Sequence, residues 1–334
     1  MTVGGNTTML HFFLGCDPWQ VFQSPYTPVF FDPGILRASE LGLPISGNVF
    51  CMPAIANYLG GDITSGLLMT DLDTREDLAL FLDIGTNGEM ALGNESGALC
   101  CAVASGPAFE GAGISCGMPG ITGAVSHVSY DRGFLCDIVG GGEAKGICGS
   151  GLVDLVAVLL ERGVIDESGR LLPPQDAPED MRRYLTGDGQ GNGVFHLTKA
   201  VSLTARDVRN LQLAKAAVAG GIRVLLEQRG VTADNIASVE LAGGFGNYLS
   251  PESAVRIGML PDIDRELFEY LGNTSLSGAY AMVRSDCAVN KVDELASNMT
   301  YMELSTNPRY MDEFVAACFL PHTSRELFPS SIQE

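Results

Sequence analysis

The sequence predicts a mixed α/β protein whose main sheet begins with an antiparallel hairpin, on three observations. Residues 78–82 are a continuous apolar run of strand length, as expected for a strand covered on both faces, and residues 237–241 are predicted to be the next buried strand. Asn87-Gly88 follows the first run, and this dipeptide is the strongest short signal for a hairpin. Residues 204–207 resemble a capping box and open the longest predicted helix. A plain doubly wound fold would not place a hairpin directly after its first strand.

The first 75 residues are predicted to contain only short elements. A three-residue strand runs into Gly4-Gly5, and Asn6 is a suitable N-cap for a short helix over residues 7–14. Residues 17–53 are rich in proline, which indicates extended segments and turns. Residues 54–70 have the small side chains of a tightly packed helix, with Gly60-Gly61 as a candidate break. Because so short a strand has little to pair with alone, we expect further chain upstream of it.

Residues 76–334 are predicted to form a larger unit. After the first strand come two strands at residues 90–93 and 98–104, followed by a glycine-dense stretch at 105–117. Short strands are predicted at 124–139, and a glycine-rich turn at 146–151 leads into a helix at 152–162. A polar loop is predicted at 171–194, before the long helix that Gly230 ends. Three shorter helical segments finish the chain, near residues 252–258, 274–284 and 308–318.

Composition excludes several classes of protein. Hydrophobic residues make up 46% of the 334 residues and the mean hydropathy is +0.18, so the chain can bury a core and is not disordered. The formal net charge of −20 repels nucleic-acid backbones and anionic lipid at long range. We therefore expect neither a nucleic-acid partner nor a membrane partner, although backbone N–H groups can still hold the phosphates of a nucleotide.

The cysteine pattern favours a reducing compartment. Nine cysteines are present and none forms a C-x-x-C pair, so we interpret them as free thiols of a cytoplasmic protein. Zinc spacing is lacking, and the four histidines are widely separated, which argues against a histidine-rich metal site. The N-terminus has neither the basic nor the long apolar stretch of a signal peptide.

The most informative candidate site is the turn after the first buried strand, at residues 83–89. Asp83 is followed by Gly85, Thr86, Asn87 and Gly88, a turn whose backbone N–H groups can converge on an anion. Asp83 could hold Mg²⁺ through water, because that ion prefers one or two carboxylates and retained waters. An ordinary hairpin with a solvated aspartate remains the alternative interpretation.

Two further glycine-rich turns strengthen the case for a nucleotide. The strand at 237–241 runs into Gly243, Gly244, Phe245 and Asn247, and glycines without a Cβ allow flat contact with a purine or a ribose. Gly149 and Ser150 lie at the predicted N-terminus of a helix, where anions bind readily. Together the three turns predict a phosphate or nucleotide site.

Other chemistry is less well supported. Glu110 lies in a glycine-rich loop and could be a second carboxylate associated with the metal. Cys148 could be a reactive thiol or a cluster ligand beside a helix N-terminus, with an inert buried thiol as the alternative. The chain shows no Walker A loop, no G-x-G-x-x-G in the right setting and no G-x-S-x-G nucleophile elbow.

Eight segments, in this order and over nearly the whole chain, resemble the C-terminal ATPase domain of reductive activators of corrinoid proteins. They are Gly5-Asn6-Thr7-Thr8-Met9, Pro25-Tyr26-Thr27-Pro28, residues 83–89, Gly106-Pro107-Ala108-Phe109-Glu110-Gly111, Ile114-Ser115-Cys116-Gly117, residues 146–151, Gln212-Leu213-Ala214-Lys215 and residues 242–247.

The resemblance implies a ribonuclease-H-like fold of the actin, sugar-kinase and heat-shock-ATPase superfamily. Residues 1–75 would be a remnant of the first lobe. Residues 76–334 would be the complete second lobe, with its C-terminal helices packing back toward the first. Residues 83–87 would be the second phosphate loop, and Gly243-Gly244 would belong to the adenosine motif. ATP and Mg²⁺ are the implied cofactors.

The resemblance also implies a function and partners. Such activators use ATP to help return a Co(II) corrinoid protein to Co(I), with electrons arriving through an N-terminal iron–sulfur domain. The expected partner is a corrinoid protein, and a homodimer is expected. Full-length members carry the iron–sulfur domain and a first Asp-x-Gly-Thr-Thr phosphate loop upstream, and this sequence contains neither. We therefore expect an ATPase that is incomplete on its own, with Asp83 and Glu110 as its catalytic residues and the iron–sulfur cluster in the absent domain.

Two alternatives stay open at this point. A non-catalytic docking module for a corrinoid or methyltransferase partner would keep the fold after losing half of the site. A small-molecule kinase is the other alternative, because sugar kinases share the fold and fold analogy does not identify the reaction.

Overall fold

The computed structural model of this chain describes residues 1–24, 26–246, 248–285 and 288–331. The strands are β1 (Thr2–Val3), β2 (Ile35–Arg37), β3 (Asn48–Cys51), β4 (Leu78–Ile84), β5 (Gly88–Asn94), β6 (Gly97–Val103), β7 (Ala124–Tyr130), β8 (Phe134–Ile138), β9 (Gly146–Ile147), β10 (Leu185–Gly187), β11 (Gly193–His196), β12 (Ser202–Thr204), β13 (Ile236–Ala242), β14 (Phe268–Gly272) and β15 (Met299–Tyr301). The α-helices are α1 (Thr7–Phe13), α2 (Trp19–Phe22), α3 (Gly61–Leu67), α4 (Gly149–Glu161), α5 (Ala205–Arg229), α6 (Gly243–Gly246), α7 (Pro251–Arg256), α8 (Thr274–Arg284), α9 (Ala288–Ser297) and α10 (Pro308–Ala317). Short 3₁₀ helices lie at Pro107–Glu110, Glu179–Tyr184, Ala233–Asn235, Arg265–Leu267, Leu304–Thr306, Arg325–Leu327 and Pro329–Ser331.

A six-stranded sheet in the order β14-β13-β4-β5-β6-β15 forms the centre of the molecule. Its strands β4, β5 and β6 make an antiparallel meander. On one side β13 pairs with both β4 and β14 in parallel, and on the other side β15 pairs with β6 in parallel. This order confirms the predicted mixed α/β fold with a hairpin at the front of its sheet.

The turn of that hairpin differs in detail from the prediction. Ile84 pairs with Gly88, so the turn comprises residues 85–87 rather than Asn87-Gly88, and the amide of Gly85 donates to the Asn87 carbonyl at 2.8 Å. Gly88 is a strand residue. A Cβ added there would lie 2.9 Å from a methyl of Val103, so the absence of a side chain serves packing at this position and not turn conformation.

The described part of the first 75 residues forms a small sheet and the helices α1, α2 and α3. The sheet has the order β1-β3-β2. Asn6 caps α1 as predicted, because its side chain accepts from the amide of Met9 at 2.9 Å. The helix predicted at 54–70 begins only at Gly61. A Cβ on Gly61 would overlap the carbonyl of Met52, so this close contact with β3 requires a glycine where the helix starts.

The polar segment at 171–194 is more ordered than the sequence predicts. It contains the 3₁₀ helix Glu179–Tyr184 and the strand β10, and β10, β11 and β12 form a separate antiparallel sheet. The buried apolar side chains of this segment are Leu171, Ala177, Met181 and Leu185. Prolines at 173–174 and the glycines and polar residues of 187–193 interrupt them, which is why the sequence indicated a loop.

Helices cover both faces of the central sheet. Ala79 and Phe81 of β4 contact Ile63 and Leu67 of α3, whereas the intervening Leu80 belongs to the larger core with α4 and α5. Alternate side chains of one strand thus enter two cores. Burial on both faces explains the unbroken apolar run that predicted β4.

The long helix α5 begins and ends as predicted. Thr204 and Asp207 form a complete capping box, and Gly230 is the left-handed C-cap with φ 72°. Within the described residues no helix, α5 included, is both long enough and apolar enough to cross a membrane.

The C-terminal segment is fixed to α5 by two buried polar side chains. Lys215 donates from Nζ to the carbonyls of Phe319 and Pro321, both at 2.6 Å. Gln212 donates to the carbonyls of Ser168 and Cys318 at 2.8 and 2.7 Å. Burial lowers the pKa of Lys215 to about 7. The Gln212–Lys215 motif of the sequence is therefore a structural attachment point for the chain end.

Helices α3 and α8 cross at glycine-lined contacts. The Ser65 hydroxyl of α3 donates to the Ser275 carbonyl at 2.6 Å. A Cβ on Gly278 of α8 would overlap the backbone carbonyl of Ser65. This crossing joins the first 75 residues to the C-terminal part of the chain.

We expect Gly278→Ala to destabilise the protein by about 2–3 kcal/mol, because the added methyl group must push α8 away from α3. The measurement is urea unfolding followed by circular dichroism. Ser277→Ala on the exposed side of the same helix is the control, and we expect a change within about 0.5 kcal/mol there. Equal stability of the two variants would contradict the packing described.

Candidate functional site

The turns that follow β4 and β13 lie against each other. Asp83 and Ala242 are register partners on these adjacent parallel strands. Gly243 comes next, with φ +84°, and a Cβ on it would lie 2.5 Å from Oδ1 of Asp83. The two glycine-rich turns that the sequence singled out separately therefore share one edge of the sheet, at the carboxyl ends of parallel strands, where α/β proteins bind their ligands.

Three carboxylates gather at this edge. Asp83 pairs across the hairpin with Glu89. Asp62, in the first turn of α3, is close enough to raise the pKa of both. Burial is the main cause of each shift, and the neighbouring carboxylates add to it: the pKa of Asp83 rises to about 6 and that of Glu89 to about 8. Burial also raises the pKa of Asp62. The group is poised to accept positive charge.

Asp62 and Glu89 were missed as site residues from the sequence. Glu89 ends the motif that begins with Asp83, so its presence in that motif was a usable signal. No pattern in the sequence indicates Asp62, because its position depends on the docking of α3. In the docked arrangement the amide of Asp62 donates to the Gly5 carbonyl at 3.2 Å.

These carboxylates suit a hard cation held mainly through water. Among the described residues no three His, Cys, Asp or Glu side chains converge closely enough to hold a metal ion. Mg²⁺ needs fewer protein ligands, since it keeps several waters and binds phosphate oxygens in addition to one or two carboxylates. The donor set around Asp83 therefore fits Mg²⁺ brought in with a phosphate.

The turn at 85–87 is held by the loop that carries Glu110. Thr86 donates from Oγ1 to the two carboxylate oxygens of Glu110 at 2.7 and 2.9 Å. Ser105 donates to the carbonyls of Gly85 and Thr86 at 3.1 and 3.2 Å. Thr86, Asn87 and Glu110 are all exposed. The structure thus brings Glu110 to the turn that follows Asp83, and its role beside a metal stays a prediction.

The turn after β13 is open to a ligand at Gly244. This residue is exposed, and a Cβ on it would meet no atom within 4 Å. Phe245 stacks on Phe109 with ring centroids 4.6 Å apart. The stack joins the Gly243 turn to the loop that carries Glu110. Asn247, which the sequence analysis assigned to the same site, lies outside the described residues.

The N-terminus of α4 lies behind this arrangement. A Cβ on Gly149 would overlap the carbonyl of Phe109. Ser150 is buried and donates to the carbonyl of Ser126 at 2.8 Å. Cys148 is buried and donates from Sγ to the carbonyl of Val125 at 3.3 Å. Gly149 packs against the loop at Phe109, and direct contact of Gly149 and Ser150 with a nucleotide stays a prediction.

The raised pKa of Glu89 predicts a pH dependence of stability. The pKa of this carboxyl is about 8 in the folded protein, against an ordinary value of 4.5. The free energy of unfolding therefore falls as pH rises between those values, because the folded state binds the proton more tightly than the unfolded state. We expect Glu89→Gln to flatten this decline, so that the variant melts at a higher temperature than wild type at about pH 8 without Mg²⁺. Thermal melts between about pH 5 and pH 9 measure the difference. Glu143→Gln, at an exposed position, is the control, and a decline that persists in Glu89→Gln would contradict the pKa assigned.

Comparison with known proteins gives two family matches that together span the chain. Residues 1–75 match the family described as the RACo middle region, and residues 77–332 match the C-terminal domain of RACo, the ASKHA domain. The second match covers most of the chain and confirms the predicted actin- and sugar-kinase-type fold.

Individual relatives agree with the family match. The corrinoid activation enzyme RamQ of Eubacterium limosum is 32% identical over 93% of this chain and 54% of its own length. A reductase of the Co(II) methylated amine-specific corrinoid protein, from Methanosarcina barkeri, is 28% identical over 80% of this chain and 51% of its own. A solved structure of a reductive activator for a corrinoid iron–sulfur protein superposes with a TM-score of 0.88 at 43% identity, over 98% of this chain and 54% of that one. The chain spans about half the length of these relatives.

Proposed function

The chain belongs to the RACo family, of which it carries the middle region and the C-terminal ASKHA domain, and from this premise we propose that it binds Mg-ATP between the Asp83 and Gly243 turns. In this proposal the energy of binding and hydrolysis supports the return of a corrinoid protein from Co(II) to Co(I). The contact between Gly243 and the Asp83 carboxylate is the single observation that carries the proposal, because it unites two nucleotide-type turns in one site.

In the proposed complex each turn holds a different part of ATP. The backbone amides and the exposed side chains of Thr86 and Asn87 bind the phosphates. The open backbone at Gly243 and Gly244 lies against the ribose and purine. Asp83 holds Mg²⁺ through its waters, and the bound ion neutralises charge on the phosphates.

Glu110 is the group best placed to act on the attacking water. Its carboxylate is exposed and is oriented by the Thr86 hydroxyl, which itself belongs to the phosphate turn. We assign to Glu110 the positioning of water and the acceptance of its proton during hydrolysis.

Coupling to the partner would proceed through lobe closure. The carboxylate Asp62 comes from the first 75 residues, whereas Asp83 and Glu89 come from the central sheet. Binding of a cation at this group relieves their repulsion and favours the closed arrangement, so that nucleotide binding changes how the domain holds its partner. In the complete system we propose that electrons reach the corrinoid through an iron–sulfur domain of the kind expected upstream.

We also propose that the protein acts in the cytoplasm as a homodimer. The cysteines among the described residues are all free thiols, which supports a reducing compartment. The dimer is an expectation carried over from the family resemblance and would be checked by light scattering.

Titration of the protein with ATP and Mg²⁺ by calorimetry tests the binding site. We expect measurable heat and a higher melting temperature with Mg-ATP than with Mg²⁺ alone. Release of phosphate should be slow and should rise when the corrinoid partner is added. Absence of both heat and melting shift would favour the alternative of a docking module without catalysis. A small-molecule kinase would instead transfer the phosphate to an added metabolite and not to water.

Glu110→Gln separates hydrolysis from binding. We expect hydrolysis to fall about 100-fold, because the amide cannot accept the proton of the attacking water. The dissociation constant for Mg-ATP should change by less than about threefold, since the neutral side chain keeps a hydrogen bond to Thr86. Phosphate release and calorimetry give the two readouts, and Glu143→Gln is the control. Unchanged hydrolysis in Glu110→Gln would remove this residue from the mechanism.

A further inference from the structure

A buried ion pair joins the segment between α3 and β4 to the strand that leads into the Gly243 turn. We call residues 68–77 the crossover segment; it follows the helix that carries Asp62 and precedes the strand of Asp83. Arg75 of this segment donates from Nη1 to Oε1 of Glu240 on β13 at 3.1 Å, across 165 positions of the chain. We propose that Arg75 and Glu240 are positioning residues of the cation site, because they fix the crossover segment to β13 and thereby hold Asp62 close to Asp83.

The pair is buried and only partly satisfied. The side chains of Arg75 and Glu240 are 18% and 5% exposed. Among the described residues, Nε of Arg75, Oε2 of Glu240 and the hydroxyl of Ser238 are buried without a hydrogen-bond partner. Burial raises the pKa of Glu240 to about 7, although Arg75 lowers it. Since well-packed apolar residues in place of such a pair are often neutral or stabilising, the stability of the fold does not account for it.

The ion pair supplies a direction that the packing of α3 lacks. Apolar side chains of α3 and β4 share the smaller core, and apolar contacts are non-directional, so they keep the helix on the sheet but tolerate sliding along it. The hydrogen bond from Ser65 to Ser275 fixes the middle of α3 to α8. A charge-assisted hydrogen bond needs a narrow range of distance and angle. The contact between Arg75 and Glu240 therefore fixes the chain beyond the C-terminal end of α3 to β13.

This attraction opposes the repulsion at the cation site. Asp62 lies in the first turn of α3, whereas Asp83 and Glu89 belong to the central sheet, and their like charges favour separation of α3 from the sheet edge. The opposite charges of Arg75 and Glu240 act on the same two parts of the chain in the reverse sense. The pair therefore keeps the three carboxylates together in the free protein, so that a cation binds to a site that is already assembled.

Pulsed EPR on the free protein tests the proposal, with encoded spin labels at the exposed positions Glu40 in the first 75 residues and Glu143 after β8. At about pH 8, where Glu240 is mostly ionised, we expect one narrow distance distribution in the wild type and a longer, broader one in Arg75→Gln. Arg75→Lys should keep the wild-type distribution, because Arg75 uses a single nitrogen for Glu240. Asp71→Asn, which removes the exposed partner of the same guanidinium, is the control and should change nothing.

Kinetics with Mg-ATP add a readout that a merely structural role would not move. We expect KM to rise at least about tenfold in Arg75→Gln and kcat to change by less than about threefold, because Glu110 and Thr86 contact each other and not the crossover segment. This readout rests on the proposed function, whereas the distances do not. Absence of heat with Mg-ATP in the wild type would remove the proposed function and leave the distances to decide this inference.

Two results would overturn the proposal. One is a folded Arg75→Gln variant with the wild-type distance distribution. The other is equal broadening in Arg75→Lys and Arg75→Gln, since the size of Arg75 and not its charge would then hold the segment. If Arg75→Gln does not fold, Glu240→Gln takes its place; it keeps a neutral hydrogen bond from Arg75 without the opposite charge, and the same broadening is expected and the same result would overturn the proposal.

Discussion

Gly243→Ala is expected to weaken Mg-ATP binding at least about 100-fold, the largest effect of any single methyl group in this protein. The new Cβ would lie 2.5 Å from Oδ1 of Asp83, and the residue has φ +84°. The backbone conformation costs about 1–2 kcal/mol for an alanine. The clash must then separate the two turns or rotate the Asp83 carboxylate away from the cation. Calorimetry with Mg-ATP measures the loss.

Alanine substitutions at two other glycines distinguish the backbone cost of a positive φ from the clash with Asp83. Gly141 has φ +71° and no atom within 4 Å of an added Cβ, so Gly141→Ala reproduces the backbone cost without the clash and should leave ATP binding unchanged. Gly244→Ala adds a methyl group where the free protein has open space. It should keep wild-type stability and weaken binding only if the nucleotide lies against this backbone. Full ATP affinity in Gly243→Ala would show that the joined turns are not the nucleotide site.

Asp83→Asn should have the second largest effect, through loss of the cation. We expect Mg-ATP affinity to fall by about 100-fold, because an uncharged amide is a poor ligand for Mg²⁺ and its waters. Affinity for ATP without Mg²⁺ should stay the same or improve, since one negative charge near the phosphates is gone. The apo protein should also melt at a higher temperature above about pH 6, because the buried carboxylate with a pKa raised to about 6 no longer has to ionise.

The control lies at the other end of the same strand. Asp77 is exposed and immediately precedes β4, so Asp77→Asn removes one charge without touching the site. Its Mg-ATP affinity and its melting profile should match wild type. If Asp83→Asn weakened binding equally with and without Mg²⁺, Asp83 would be a support of the turn and not a holder of the cation.

The sequence places candidate site residues together where they follow one another along the chain. Asp83, Gly85, Thr86 and Asn87 form one turn, and its glycine and carboxylate signals are local. Glu110 was weaker as a candidate, because a glutamate in a glycine-rich loop has many possible neighbours. The hydrogen bond from Thr86 brings it to the turn at 85–87. Gly149 and Ser150 carried a good helix-start signal, yet Gly149 packs against Phe109 and Ser150 bonds the carbonyl of Ser126, which no local pattern could indicate.

The sequence alone was enough to predict the hairpin, the capped long helix and the glycine turns at the strand ends, because each depends on residues a few positions apart. Tertiary structure decided that Asp62 from the third helix joins Asp83 and Glu89. It also decided that Gly243 closes on Asp83. The physical reason is that parallel pairing of β13 with β4 and docking of α3 on their sheet join segments 20 to 160 residues apart. Apolar packing is non-directional, so the local sequence does not indicate which partner each face will contact.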